Sequence, residues 1–229
     1  EILDEYGSDA LRMGMISGRT AGYSAAFAPG KITAGRNFCN KLWNIARYTE
    51  TILGDDFSRE TPKAETLADH WILGQAEAAQ TDISQCIQDY RFSEAYERLY
   101  HFVWDDVADW YIEASKVGQN KQLLATILET VLKLTHPFAP FVTETIWQTL
   151  SWTGDSLLPK YDANRAKGFT EIQAIVGEIR YITTALDVHG ASLYFKKNDF
   201  LIENAALLKK LAKLYHCGDV EDGRGMRLT

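Results

Sequence analysis

KITAGRNFCNKLWNIARYTETIL, residues 31–53, carries a long amphipathic helical pattern. Phe38, Leu42, Ile45, Ala46 and Thr49 recur at spacings of three and four, which at 3.6 residues per turn gathers them on one face. Gly54 and the polar stretch 55–66 close the helix. Arg36, Asn40, Asn44 and Arg47 stand at i, i+4, i+8 and i+11, and fall within about 80° of arc on the other side. Asn37, Lys41 and Tyr48 widen that polar face. An amphipathic helix of this length needs partner helices to cover its apolar stripe.

The flanking sequence supplies them. Upstream, residues 4–16 space Tyr6, Ala10, Leu11, Met13 and Met15 helically after the start signal Gly7-Ser8-Asp9, and a loop rich in Gly and small residues fills 17–30. Downstream, helices are predicted over 68–87, 93–116, 122–134 and 140–150. Gly118-Gln119-Asn120 separates the second from the third of these, and His136-Pro137 the third from the fourth. Pro140 falls in a first turn, where its missing N–H costs little. Short breaks between four to five helices describe an antiparallel bundle.

After Leu150 the pattern changes. A connector over 151–168 leads to a helix over 169–186, a strand over 192–196, a helix over 203–213 and a strand over 214–220. That alternation is the grammar of a small α/β appendage. The expected fold class is therefore mainly α, a helical bundle followed by a small α/β subdomain. Its expected division is a connecting helix and loop at 1–28, the bundle at 29–150, a linker at 151–168 and the α/β subdomain at 169–229.

Composition bounds the function. Of the 229 residues 46% are apolar and 24% charged, close to the globular average, which excludes a disordered or fibrous chain. A net charge of −7 argues against a non-specific nucleic-acid binder while leaving room for a local basic patch. Cys39, Cys86 and Cys217 are scattered, neither a disulfide framework nor a zinc knuckle, so a reducing compartment such as the cytoplasm is expected. No apolar run approaches the roughly 18 residues of a membrane span, so no membrane partner is expected. No secretory leader opens the chain, which starts at Glu1 and reads as a piece of something larger.

No convincing catalytic centre stands in the sequence. Walker-type loop, nucleophile elbow and Glu-x-x-His pair are all missing, and Gly223-Arg224-Gly225 is an incomplete dinucleotide fingerprint. An acidic cluster, Asp105, Asp106, Asp109 and Glu113 beside His101, offers metal-type spacing at 101, 105 and 109. Asp106 shares the arc of Leu99, Phe102, Val103 and Trp110, so it needs a partner, Lys41 or Arg98, to offset burial of its charge. Ion pairing is the preferred account and no metal site is expected; a metal-dependent hydrolytic site is the competing reading. His70, His136, His189 and His216 lack second ligands and read as structural or exposed, while Trp71, Trp104, Trp110 and Trp147 read as core. On spacing alone, the polar face of residues 36–48 reads first as a solvated helix surface. Its alternative is an RNA surface, in which guanidinium and carboxamide groups meet phosphates and base edges, with Tyr48 or Phe38 as a stacking ring.

The stretch from Arg36 through Tyr48, RNFCNKLWNIARY, resembles the opening helix of the anticodon-binding domain of valyl-tRNA synthetases. Four further matches are collinear: EILDEYGSDALR from Glu1; LADHWIL from Leu67; YRFSEA from Tyr90 with DWYIE from Asp109 and Lys116; and HPFAPFVTE from His136 with Ile146-Trp147. The isoleucyl and leucyl synthetases share the bundle, but the Trp-Tyr-Ile-Glu and His-Pro-Phe runs favour the valyl member. The tail from residue 169 is similar to the small α/β subdomain of that family, departing at Asp187-Val188-His189-Gly190-Ala191-Ser192, where the family carries a proline-containing turn.

That resemblance implies a class Ia anticodon-binding region whose catalytic domain lies elsewhere in the same polypeptide. No catalytic residue and no cofactor belong to this stretch; ATP and Mg²⁺ serve the full-length enzyme, which attaches valine to its tRNA. The implied partners are valine tRNA isoacceptors and the catalytic domain. Implied tRNA-binding residues are Arg36, Asn37, Phe38, Asn40, Lys41, Asn44 and Arg47, with Arg91 and Phe92 at the turn between two bundle helices. A helical protein-interaction scaffold is the alternative.

Overall fold

The computed structural model describes residues 2–18, 28–150, 152, 162–188, 191–219 and 227–228. Residues 19–27 of the expected loop, residues 151 and 153–161 of the connector, His189, and Gly223-Arg224-Gly225 lie outside them.

The N-terminal helix is broken at Gly7 into α1 (Ile2–Tyr6) and α2 (Ser8–Ile16), because Gly7 adopts φ 84°, a left-handed angle that a side chain disfavours. α3 (Pro29–Leu53) starts on Pro29 and stops where Gly54 turns at φ 75°. Helices α2 and α3 cross closely through glycine: a Cβ on Gly35 would stand 2.8 Å from the Ala10 carbonyl oxygen, and one on Gly14 2.9 Å from Ile32. The far side of α2 holds the last bundle helix. Asp9 accepts the backbone N–H of Val142 at 2.7 Å and of Phe141 at 3.3 Å, while Arg12 donates to the Phe138 carbonyl at 3.2 Å and that of Pro137 at 3.1 Å.

α4 (Leu67–Gln88) opens on a reciprocal cap, Thr66 Oγ1 accepting from the Asp69 N–H and the Asp69 carboxylate from the Thr66 N–H. Asp69 also accepts from Asn120 and Tyr111, tying three helices at one buried carboxylate. α5 (Phe92–His101) continues unbroken into a π-helical segment (Phe102–Tyr111) and then α6 (Ile112–Ser115). α7 (Lys121–Thr135) and α8 (Pro140–Thr149) complete the bundle around Phe38, Leu42, Ile72, Leu99, Phe102, Leu123 and Ile127. Arg59 reaches from the 54–66 connection to the buried Glu129 at 2.8 Å, fastening that connection to α7.

The helix expected from residue 169 begins six residues earlier: α9 (Ala163–Ala185) is capped by Asp162, which accepts the Asn164 N–H at 2.8 Å. It lies along α4, with Phe169 against Trp71 at 4.8 Å between ring centres. β1 (Ser192–Phe195) pairs in parallel with β2 (His216–Asp219), Leu193 opposite Cys217, and antiparallel with β3 (Arg227–Leu228), a strand the pattern did not announce. The crossover expected as one helix over 203–213 is two, α10 (Asp199–Glu203) and α11 (Ala205–Leu211), divided at Asn204. α11 rests against α6 and α9, and so seats the small sheet on the bundle.

Candidate nucleic-acid interface

Helix α3 presents its polar face to solvent. Arg36, Asn37, Asn40, Asn44 and Arg47 are all exposed. Among the described residues, the side chains of the three asparagines and Arg47 make no hydrogen bond, so their donors and acceptors face water. The Arg36 guanidinium stands 6.0 Å above the Tyr6 ring, within cation–π reach. Arg36 and Asn40 line a hollow of about 320 Å³ shared with Tyr6, Ser8 and Phe141.

Phe38 corrects the expectation of a stacking ring. It has no exposed surface and packs 5.7 Å from Tyr100, because at 200° around the helix from Arg36 it belongs to the core stripe. The aromatic that the polar face does carry is Trp43, 38% exposed. Sequence reasoning missed it: about 20° from Arg36, on the side away from Arg47, it borders the polar arc where Ile32 and Cys39 begin the apolar stripe.

Lys41 is not brought together with Arg36. It turns toward the π-helical segment, where its Nζ meets Asp109 at 2.9 Å and lies 4.9 Å from the centre of the Trp104 ring. Tyr48 is half-buried and hydrogen-bonded to Ser115 at 3.3 Å. Arg91 and Phe92 sit on the α4–α5 turn, a different element. The Arg91 guanidinium bridges Glu94 at 2.7 Å and Asp89 at 3.2 Å, which raises its pKa, and Phe92 is partly exposed beside Tyr90 at 6.0 Å.

The acidic cluster resolves into separate pairs. Asp109 is held by Lys41, Asp105 by His101 at 2.7 Å, and Glu113 by Lys116. Asp106 pairs with Arg98 at 3.8 Å, not with Lys41, and burial pushes its carboxyl up to about 6. Among the described residues no three His, Cys, Asp or Glu side chains converge on one point. His70 is buried, its Nδ1 accepting the Asp162 N–H, and burial lowers its pKa; His136 bonds Thr143 at 2.8 Å. Trp71 is core as expected, whereas Trp104, Trp110 and Trp147 are half-buried, each with a cation near its ring: Lys41, Arg180 and Lys133.

A helical bundle with an exposed basic–carboxamide face is the architecture of a tRNA-ligase anticodon-binding domain. The family described by that name, anticodon-binding domain of tRNA ligase, matches residues 69–192, and the chain belongs to it. Among curated proteins the chain is similar to valine–tRNA ligases. It is 40% identical to that of Lactiplantibacillus plantarum, over 69% of this chain and 19% of that protein. With the Mycolicibacterium paratuberculosis enzyme the identity is 37%, over 78% and 22%. With the Staphylococcus epidermidis enzyme it is 36%, over 69% and 20%. The chain thus spans about a fifth of the length of these relatives. A crystal structure of the Agrobacterium radiobacter K84 agnB2 LeuRS–tRNA–LeuAMS ternary complex shares the fold, with a TM-score of 0.55 and 17% identity over 72% of this chain and 21% of that one.

Proposed function

We propose that the chain is the part of a valine–tRNA ligase that binds the anticodon stem-loop of valine tRNAs, and that α3 is the surface it uses. The observation that carries this reading is the α3 face itself, where Asn40, Asn44 and Arg47 face solvent and the partly exposed Trp43 lies at their edge. An unstacked base needs a flat apolar platform and groups that both donate and accept at its edges. Trp43 offers the platform, the asparagines the paired donor and acceptor, and Arg36 and Arg47 the forks for phosphate or guanine. The chain positions tRNA and does no chemistry; activation of valine with ATP and Mg²⁺ belongs to the catalytic domain of the full-length, cytoplasmic enzyme. No described cluster in this chain fits a metal, so no step of that chemistry is assigned to it.

Binding remote from the reacting atoms contributes by fixing orientation, which holds the acceptor end in register with a distant site. Fluorescence anisotropy with a valine tRNA transcript and with the same tRNA carrying a swapped anticodon tests the reading. Preference for the native anticodon is expected at both about 50 and 200 mM salt, because phosphate contacts alone give salt dependence without discrimination. Arg36→Ala is expected to weaken binding by roughly 1–3 kcal/mol. Equal binding of the two tRNAs would refute anticodon readout.

A further inference from the structure

Charge is segregated along the chain. Residues 1–168 hold 16 Lys and Arg against 23 Asp and Glu, whereas the α/β subdomain, residues 169–229, holds 8 against 8. The acidic excess lies in the bundle, so a polyanion is repelled less by the α/β unit and by local basic patches. In that unit Lys196, Lys197, Lys209, Lys210 and Lys213 are all exposed. Among the described residues none of the five is in an ion pair.

Two of them face the bundle across a cleft of about 1010 Å³, lined by Lys41, Asp109, Glu113, Arg180, Lys210 and Lys213. The end of α11 sets these two lysines. Lys213 takes a left-handed turn at φ 54°, its N–H bonded to the Lys210 carbonyl at 3.3 Å, while the Leu214 N–H bonds to that of Lys209 at 2.9 Å. Most other charges in the cleft are already matched. Asp109 is paired with Lys41 and Glu113 with Lys116, and Arg180 donates to the Leu211 carbonyl at 2.8 Å with its guanidinium 5.2 Å from the Trp110 ring centre. Asp187 is the remaining acid on the wall, against the two uncommitted lysines.

We infer that this cleft is a second RNA-contact site, which takes phosphodiester backbone while α3 meets the bases; the inference rests on the function proposed above. Lysine is a compact point charge without an acceptor, suited to phosphate and poorly suited to a base edge. The walls are charged, and the rings of Trp104 and Trp110 beside them each stand under a cation, Lys41 and Arg180. Lys41 projects into the cleft from α3 one turn from Asn37 and Asn44, so an RNA strand lying along that helix passes the cleft mouth.

The test compares the double variant Lys210→Glu/Lys213→Glu with Lys196→Glu/Lys197→Glu, which makes the same change in net charge at the other end of β1. Arg47→Ala serves as the α3 reference. Binding of a valine tRNA transcript is measured by anisotropy from about 50 to 200 mM salt. The 210/213 variant is expected to bind at least about 10-fold more weakly, with a log–log salt slope flatter by roughly 2, since each phosphate contact contributes about 0.9. The 196/197 variant is expected to keep the wild-type slope. Equal losses in both double variants would overturn the cleft in favour of a net-charge effect. Loss in Arg47→Ala with an unchanged 210/213 variant would overturn the cleft and leave the α3 reading standing. Wild-type protein that binds no tRNA would overturn both.

Discussion

Asp106 makes stability depend on pH in a direction unusual for a carboxylate. Burial raises its carboxyl from an ordinary 3.8 to about 6, and the Arg98 guanidinium at 3.8 Å only partly offsets that push. Below pH 3.8 the group holds its proton in both the folded and the unfolded chain, and above 6 in neither. Between these values the unfolded chain ionises first, so stability falls as pH rises. At 1.36 kcal/mol per unit the full loss is about 3 kcal/mol. With a fifth of the side chain exposed, screening trims it, and about 2 kcal/mol is expected between roughly pH 3.5 and 6.5. Asp106→Asn removes the titration. Urea unfolding of both proteins across that range gives the difference in stability at each pH, in which the His101–Asp105 pair, present in both, cancels to first order. The asparagine variant is expected to gain on wild type by about 2 kcal/mol from the acid to the neutral end. Parallel profiles, or a gain toward acid, would show that Asp106 is not held as a buried carboxyl and that the Arg98 pair dominates.

Three further outcomes test the packing and the α3 face. Trp43→Ala should keep the fold, with a cost of about 1–3 kcal/mol in thermal unfolding for the covered part of the ring, and weaken tRNA binding by roughly 1–3 kcal/mol in anisotropy titrations, the range for base–aromatic stacking. Gly35→Ala should destabilise by about 1–3 kcal/mol in denaturant melts, because its Cβ meets the Ala10 carbonyl at 2.8 Å and α2 must move off α3. Glu129→Ala should cost about 2–4 kcal/mol in the same assay, as it strands the half-buried Arg59 without its carboxylate; conservation of full stability would disprove a fastening role.

The faces of α3 were legible because the 3.6-residue period runs through residues 31–53 without interruption. Phe38 shows the limit of spacing: its angle puts it opposite Arg36, and its burial settles that it cannot stack on a base. Trp43 was hidden for a related reason, an aromatic ordinarily read as core standing at the border between the polar arc and the apolar stripe. Ten residues of π-helix were invisible, since hydrophobic spacing cannot separate i→i+5 from i→i+4 ladders over so short a stretch. The early start of α9 was masked because Ala163 to Gly168 offers almost no apolar period, and only the Asp162 cap marks it. Partners were legible in kind but not in person: Asp106 needed a cation, yet sequence could not choose Arg98 over Lys41. The division of the proposed surface between α3 and the cleft depends on which way Lys41 turns, a tertiary matter.

The bonds from α2 to the start of α8 bear on the time course of folding. Asp9 and Arg12 meet partners 125 to 133 residues further along, so closing this latch encloses nearly the whole bundle in one loop. Loop-closure entropy rises with the logarithm of that length, and contacts of such separation are rewarded only after the intervening chain has collapsed. During synthesis α2 must wait for Val142 to leave the ribosome before its acid finds the two amide protons it caps. The latch is therefore a late event, and in a chain stalled before α8 Asp9 has neither of the amide partners it caps in the finished fold.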